Sequence, residues 1–426
     1  MHPKTVFHRG STLLLAAVLT SLLVVFPVAA AASNITVDCT GATPAALTSL
    51  QAAIDSLDLV GPNQIDVVGG PCTENIVIQD RQRLTITASP IGVFILSAVG
   101  ADDNVMRVLG STGITLVQLG FSNGANGLVI RRNSEVSVVG CTISGNAAAG
   151  LRVLENSTVL VDGAAIVGNA GNGVVIQDSL LTIQGADVES NGGNGVVLRR
   201  ARGLFQGFNG ANLFQGNTNG VNLVNGAAAE FDAPNLIQNN HSIGMSVGDG
   251  SSVRLFGDVD ANGNPIPNVI SGNSLIGLNT FGGQVLLSGA TQITNNGFGG
   301  QPFHAGVRVD DNTDFVSAGS GDIEISNNTG PGIAATAGGN IDMSGTVVKN
   351  NSGDGINLAG NAQVAFFPPN TNVLMGNGKL AINCDSTSVF LGDKTGVGKL
   401  ACHVSQLSSA SAAQATRRAL RDSGRD

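Results

Sequence analysis

Three stretches of the chain, GCTISGNAAAGLRV (140–153), GAAIVGNAGNGVVI (163–176) and GADVESNGGNGVVL (185–198), align with apolar residues alternating around a fixed Asn and a fixed Gly. The asparagines recur at 123, 146, 169, 191, 217, 240, 273, 296, 328, 351 and 377. Their spacings are 23, 23, 22, 26, 23, 33, 23, 32, 23 and 26, so the period is near 23 with two long turns. A glycine follows four residues later at 127, 150, 173, 195, 244, 277, 332 and 355, and at 220 and 306 in the two units that deviate.

Each unit carries three short patterns: one as in Gly173–Ile176, one as in Val159–Gly163, and one ending at the recurrent Asn. Period-2 alternation bounded by Gly, Asn or Ser is strand and turn chemistry. Three strands per repeat predict an all-β fold, a single-stranded right-handed parallel β-helix of about 12 rungs, with rungs ~4.8 Å apart. Stacking superposes identical positions, so inward Val, Ile and Leu should form continuous columns. The Asn column is expected at the bend between two strands, because Asn tolerates left-handed backbone and stacked amides bond to one another. These asparagines are read as structural.

A stack has two ends, and an exposed last rung would pair with other molecules. Pro44–Leu57 places Leu47, Leu50, Ile54 and Leu57 at helical spacing, which predicts a short N-terminal capping helix. The expected division is a cap with the first rung over 33–75, the β-helix over 76–383, a C-terminal cap over 384–405 and a disordered tail over 406–426. Residues 1–32 read as a secretory signal peptide: Lys4 and Arg9 precede an apolar run from Leu13 to Phe26 and a stretch of small residues. No later segment is apolar enough to span a bilayer. The expected location is therefore secreted, extracellular or periplasmic.

An oxidising compartment lets cysteines pair. Cys39 and Cys72 bracket the N-terminal segment and Cys384 and Cys402 the C-terminal one, so these are the expected bridges, with Cys141 left as a small buried side chain. Only 12% of residues are charged, and the net charge of -9 is spread along the chain, which argues against a nucleic-acid partner. Trp and Tyr are both absent.

With its repeat and with LTSLQAAIDSL followed by IDVVGGPCTENIVI, the chain resembles secreted right-handed β-helix repeat proteins, a group that includes pectin methylesterases. Pectate lyases, polygalacturonases and phage tailspikes share the fold, and most act on polysaccharides, so the resemblance implies a polysaccharide or envelope partner. It transfers no activity, because function sits in a site grafted on the fold. Polygalacturonases carry N-T-D, D-D, G-H-G and R-I-K in that order. Here Asn312, Thr313 and Asp314 spell N-T-D, but Asp310 and Asp311 come before it and the other two motifs are missing. Pectin methylesterases need Q-D-F, whereas Gln177 and Asp178 are followed by Ser179 and Leu180.

Three groups of residues remain as candidates. Arg131, Arg132, Arg152, Arg199 and Arg200 fall at outward positions of first strands, where stacking would make an anion-binding stripe that Glu155 and Asp178 partly neutralise. The long span Phe298–Asp314 gathers His304, Arg308, Asp310, Asp311 and Asp314, the residue types of acid–base work. The other long span, DVDANGNPIP, sets Asp258, Asp260, Asn262 and Asn264 around Gly263 as a calcium loop begins, with Val269 where the twelfth-position Glu would stand. Calcium is the cofactor such a loop would take. The favoured reading is a non-catalytic scaffold that binds glycan or envelope material. The alternative is a lyase or hydrolase acting on an acidic polysaccharide.

Overall fold

The computed structural model describes residues 33–89, 92–97, 100–298, 304–367, 372–392 and 397–405. The signal-peptide segment 1–32 and the tail 406–426 lie outside the described residues. Each turn contributes three strands, here called faces one, two and three. In one turn they are Leu151–Val153, Thr158–Asp162 and Ala165–Val167; in the next, Val174–Gln177, Leu180–Gln184 and Asp187–Glu189. Strands of successive turns pair in parallel, with Leu151 opposite Val174, Val159 opposite Leu181 and Ile166 opposite Val188. Face one is a 14-stranded sheet, slightly more than the about 12 turns expected. Faces two and three join because Asp314–Ser326 and Asn340–Lys349 run straight through their shared corner.

The register explains the core. Val138, Val161, Ile183, Phe205, Phe231 and Leu255 stack in one fully buried column of face two. The rings of Phe205 and Phe231 lie 4.1 Å apart and 2° from parallel, as one step of the stack dictates. Burying each such side chain is worth roughly 1.5–3 kcal/mol, and the column repeats this turn after turn.

The asparagines form the expected ladder, with one correction at its start and one to its reason. Asn146 Nδ2 donates to Asn169 Oδ1 at 2.9 Å, Asn169 to Asn191 at 3.0 Å and Asn191 to Asn217 at 3.0 Å, and the chain of bonds continues to Asn377. Asn123 is not its first member: it is exposed at φ 65°, and the Gly124 amide donates to Asn146 Oδ1 instead. The left-handed residue is the one before each ladder Asn, such as Gly145, Gly168 and Ser190 at φ 64°, 63° and 53°. That residue turns the corner, and the turn aims the next side chain inward.

The helix is shorter than its apolar spacing implied, running Leu50–Ser56. Ser49 Oγ accepts from Ala52 N at 3.1 Å, while Glu74 accepts from the amides of Leu50 and Gln51 at 2.9 and 3.0 Å. Those caps end the helix at Ser49. Leu47 instead bridges to Val37 and stays 39% exposed. Ser33–Asp38 pairs in parallel with Val60–Gly69, and Val389–Leu391 with His403–Ser405, so strand pairing extends to both ends of the described chain. Both expected disulfides are formed, Cys39–Cys72 and Cys384–Cys402. Cys141 is free and buried, and burial pushes its thiol up to about 11. Among the described residues no helix is long and apolar enough to cross a membrane.

Candidate functional site

Parallel register decides which outward side chains become neighbours. On face one Arg152 lies opposite Val129 and Val175, and Arg199 opposite Gln177 and Val224. Arg131 and Arg199 share an outward column but stand three turns apart, ~14 Å. The expected arginine stripe is therefore interrupted. Arg132, Glu155, Asp178 and Arg200 take left-handed corner positions at φ 61°, 59°, 50° and 46°. There opposite charges meet: Arg200 bonds Asp178 at 2.7 and 3.0 Å, and Arg131 Nε reaches Glu155 Oε1 at 3.1 Å. These bonds hold the Asp178 and Glu155 carboxyls below their usual range. Arg152 and Arg199 make no hydrogen bond or ion pair among the described residues.

In the second candidate group the imidazole is separated from the carboxylates, while Arg308 and Asp310 meet. His304 precedes the strand Ala305–Asp310, so Asp310 lies six strand positions away, ~20 Å. Arg308 Nε is held by Asp310 Oδ2 at 2.5 Å, and the buried Asp310 also accepts from the Thr336 hydroxyl. Asp311 sits at the following corner with φ 56°, and Asp314 opens the next strand on face two. An imidazole at one end of a strand cannot exchange protons directly with carboxylates at the other. Residues 299–303 of this span lie outside the described residues.

DVDANGNPIP folds as a hairpin at the corner between faces two and three. Asp258–Val259 pairs antiparallel with Pro265–Ile266. The Asp260 carboxylate accepts from the amides of Asn262 and Asn264, both at 2.8 Å, and from Asn264 Nδ2 at 2.8 Å. The Asn264 side-chain bond is the main cause of its lowered pKa. Donors therefore point at the oxygens a cation would need, in the manner of an Asx turn. Among the described residues, the one His, Cys, Asp and Glu trio close enough to share an ion is Cys39, Cys72 and Glu74, and its two sulfurs are joined to each other.

Face two holds an arrangement the sequence reading missed. The outward column Arg254, Leu286, Val316, Asp342 runs beside Ser252, Gln284, Asp314. Together they line a depression of about 120 Å³. Leu286 is 5% exposed and supplies an apolar floor, with the guanidinium of Arg254 at one end and the carboxylate of Asp342 at the other. The two ends are three turns apart, ~14 Å. Arg254 has no hydrogen bond or ion pair among the described residues, whereas Asp314 accepts from Asn340 Nδ2 at 3.1 Å. Each polar member was visible as a break in an apolar alternation. Which of them share a groove depended on register across the 33-residue turn.

A model of the right-handed β-helix region matches residues 76–236. With three parallel strands per turn, the chain folds as a right-handed parallel β-helix. No curated protein matches it. Among solved structures it is similar to a mutant of a periplasmic alginate epimerase, at 12% identity over 84% of this chain and 83% of that one, with a TM-score of 0.49. It is also similar to the A-module of a mannuronan C-5 epimerase from Azotobacter vinelandii, at 14% identity over 81% and 94%, TM-score 0.44. A pectate lyase matches at 13% identity over 89% and 78%, TM-score 0.35. Likeness at these levels concerns the backbone path, so the chemistry has to be argued from this chain's own side chains.

Proposed function

We propose that this chain is a secreted, non-catalytic β-helix scaffold that binds a glycan of the envelope or extracellular space along face two. The groove from Arg254 to Asp342 carries the reading. Leu286 and Val316 form an apolar strip, and Arg254, Gln284, Asp314 and Asp342 set donors and acceptors around it. An apolar surface with a few polar groups at its rim suits a sugar polymer, whose rings have apolar faces and hydroxyl edges. The groove follows the stacking axis and is open at the surface, so an extended chain can lie in it. The two disulfides fit an oxidising compartment.

The separation of His304 from Asp310, Asp311 and Asp314 supports the non-catalytic side of the proposal, as does the engagement of Arg308 with Asp310. Affinity electrophoresis in gels containing neutral and uronic-acid polysaccharides tests it. Retention by at least one polysaccharide is expected, weakened about tenfold by Arg254→Ala, a change of ~1.4 kcal/mol. No new reducing or unsaturated ends should appear. Turnover abolished by Asp314→Asn or Asp342→Asn would replace the scaffold reading with the lyase or hydrolase one.

A further inference from the structure

The face-two groove lies in line with the point where the chain leaves the described residues. Asp342 stands opposite Ala365, Ala365 opposite Leu391, and Leu391 opposite Ser405, the last described residue. Ser405 is therefore three turns beyond Asp342 in one register column, ~14 Å, and six turns beyond Arg254, ~29 Å. The segment 406–426, QLSSASAAQATRRALRDSGRD, follows it.

Groove and segment carry opposite charge. On face two the stretches 314–318, 340–344, 363–366 and 389–391, which lead from the groove toward Ser405, contain two charged residues, Asp314 and Asp342. The segment sets Arg417, Arg418, Arg421 and Arg425 against Asp422 and Asp426, a net positive stretch in a chain whose net charge is -9.

The order of the groups also corresponds. Going back from Ser405, the groove presents Asp342 and Asp314, then Val316 and Leu286, then Arg254, which has no hydrogen bond or ion pair among the described residues. The segment presents Arg417 and Arg418, then Ala419 and Leu420, then Asp422. Arg417 to Asp422 spans ~17 Å when extended, and Asp342 to Arg254 spans three turns, ~14 Å. The stretch from Ser405 to Arg417 reaches ~40 Å extended and ~18 Å as a helix. Either length covers the ~14 Å back to Asp342.

We propose that the segment 406–426 is an intramolecular occupant of the face-two groove, with Arg417 and Arg418 against Asp342 and Asp314, Leu420 on Val316 and Leu286, and Asp422 at Arg254. Tethering holds the segment at an effective concentration on the order of mM, so even a weak contact fills the groove. That the segment thereby competes with a glycan rests on the reading above.

Because the chain contains neither Trp nor Tyr, Leu420→Trp installs its one strong fluorophore in the segment. The full chain with Leu420→Trp is compared with the same chain carrying Asp342→Lys, or Arg417→Glu with Arg418→Glu, at low salt and at ~1 M salt, where the Debye length is ~3 Å. We expect a short-wavelength emission protected from acrylamide, moved to longer wavelength by either charge reversal and by salt, and independent of protein concentration. An emission already at the water-exposed position, or one that Asp342→Lys leaves unmoved, overturns the docking. A shift that vanishes on dilution assigns the segment to a second copy of the chain and overturns the intramolecular contact. Polysaccharide retention is read separately. Arg417→Glu with Arg418→Glu should bind a retained polysaccharide about tenfold tighter, as release of a groove about nine-tenths occupied requires. Equal retention beside a docked emission overturns the competition and removes the glycan from the groove. If no polysaccharide retains either chain, the glycan reading falls and the emission alone decides the docking.

Discussion

Gly150 and Asn169, residues of successive turns, are locked together: a Cβ built on Gly150 would lie 2.8 Å from Asn169 Nδ2. The same relation joins Gly127 to Asn146 at 2.9 Å, Gly173 to Asn191 at 2.8 Å and Gly244 to Asn273 at 2.6 Å. None of these glycines needs positive φ. Each is glycine because the next turn's ladder amide occupies the space a side chain would take, so the recurrent Asn and the recurrent Gly are one device.

Gly150→Ala should therefore destabilise the protein by about 1–3 kcal/mol as an overpacked site. Asn169→Ala should cost about as much, because it strands the buried Asn146 backbone amide and takes one of three acceptors from Asn146 Nδ2. The double variant should cost less than the sum, with a remainder because Ile166 Cγ2 at 2.7 Å and Gly173 O at 2.9 Å also crowd position 150. Urea unfolding of the three variants checks this, and strict additivity would break the argument.

Reduction of the disulfides should lower stability by about 3–4 kcal/mol for each bridge, since they close loops of 33 and 18 residues. Thiol titration should find no reactive thiol in the native protein, because Cys141 is buried and its pKa raised, and one thiol in denaturant. Two or more thiols after denaturation would contradict the pairing.

Acid should act through Asp38, whose carboxyl is held well below the usual range, first by the Thr40 and Thr43 side chains and also by their backbone amides. Its folded-state pKa lies below the unfolded value, so its contribution is complete above ~pH 5 and lost as pH falls through the carboxylate range. The urea midpoint should drop on acidification, and Asp38→Asn should flatten that drop. Asp187 has the opposite sign, its pKa being raised by burial and then by Glu189. Asp187→Asn should raise the midpoint at pH ~7 and have little effect at pH ~3.

Calcium should leave the melting temperature unchanged, because Asn264 Nδ2 and two backbone amides already occupy the Asp260 carboxylate. Thermal melts with calcium and with chelator test this. A calcium-dependent rise that Asp258→Ala and Asp260→Ala abolish would restore the metal loop.

The sequence by itself determined the fold, because stacking writes every structural requirement into each repeat. Alternation marked the strands, the 23-residue spacing marked the turn, and Asn and Gly marked the corners. Its error in the ladder was of one residue: Asn123 has the letter of the ladder but sits in the preceding corner position. The tertiary structure alone decided which surface residues meet. In a parallel stack, neighbours are set by register between turns and not by nearness in sequence. Arg131 consequently found Glu155, 24 residues on, while His304 and Asp310, at opposite ends of the strand Ala305–Asp310, were kept from each other. Arg254, Leu286, Val316 and Asp342 line one groove although 88 residues separate the first from the last. The two long turns were legible as insertions. Register alone set Gln206 and Phe256, the residues from which the turn 207–211 and the hairpin 258–266 depart, on one corner.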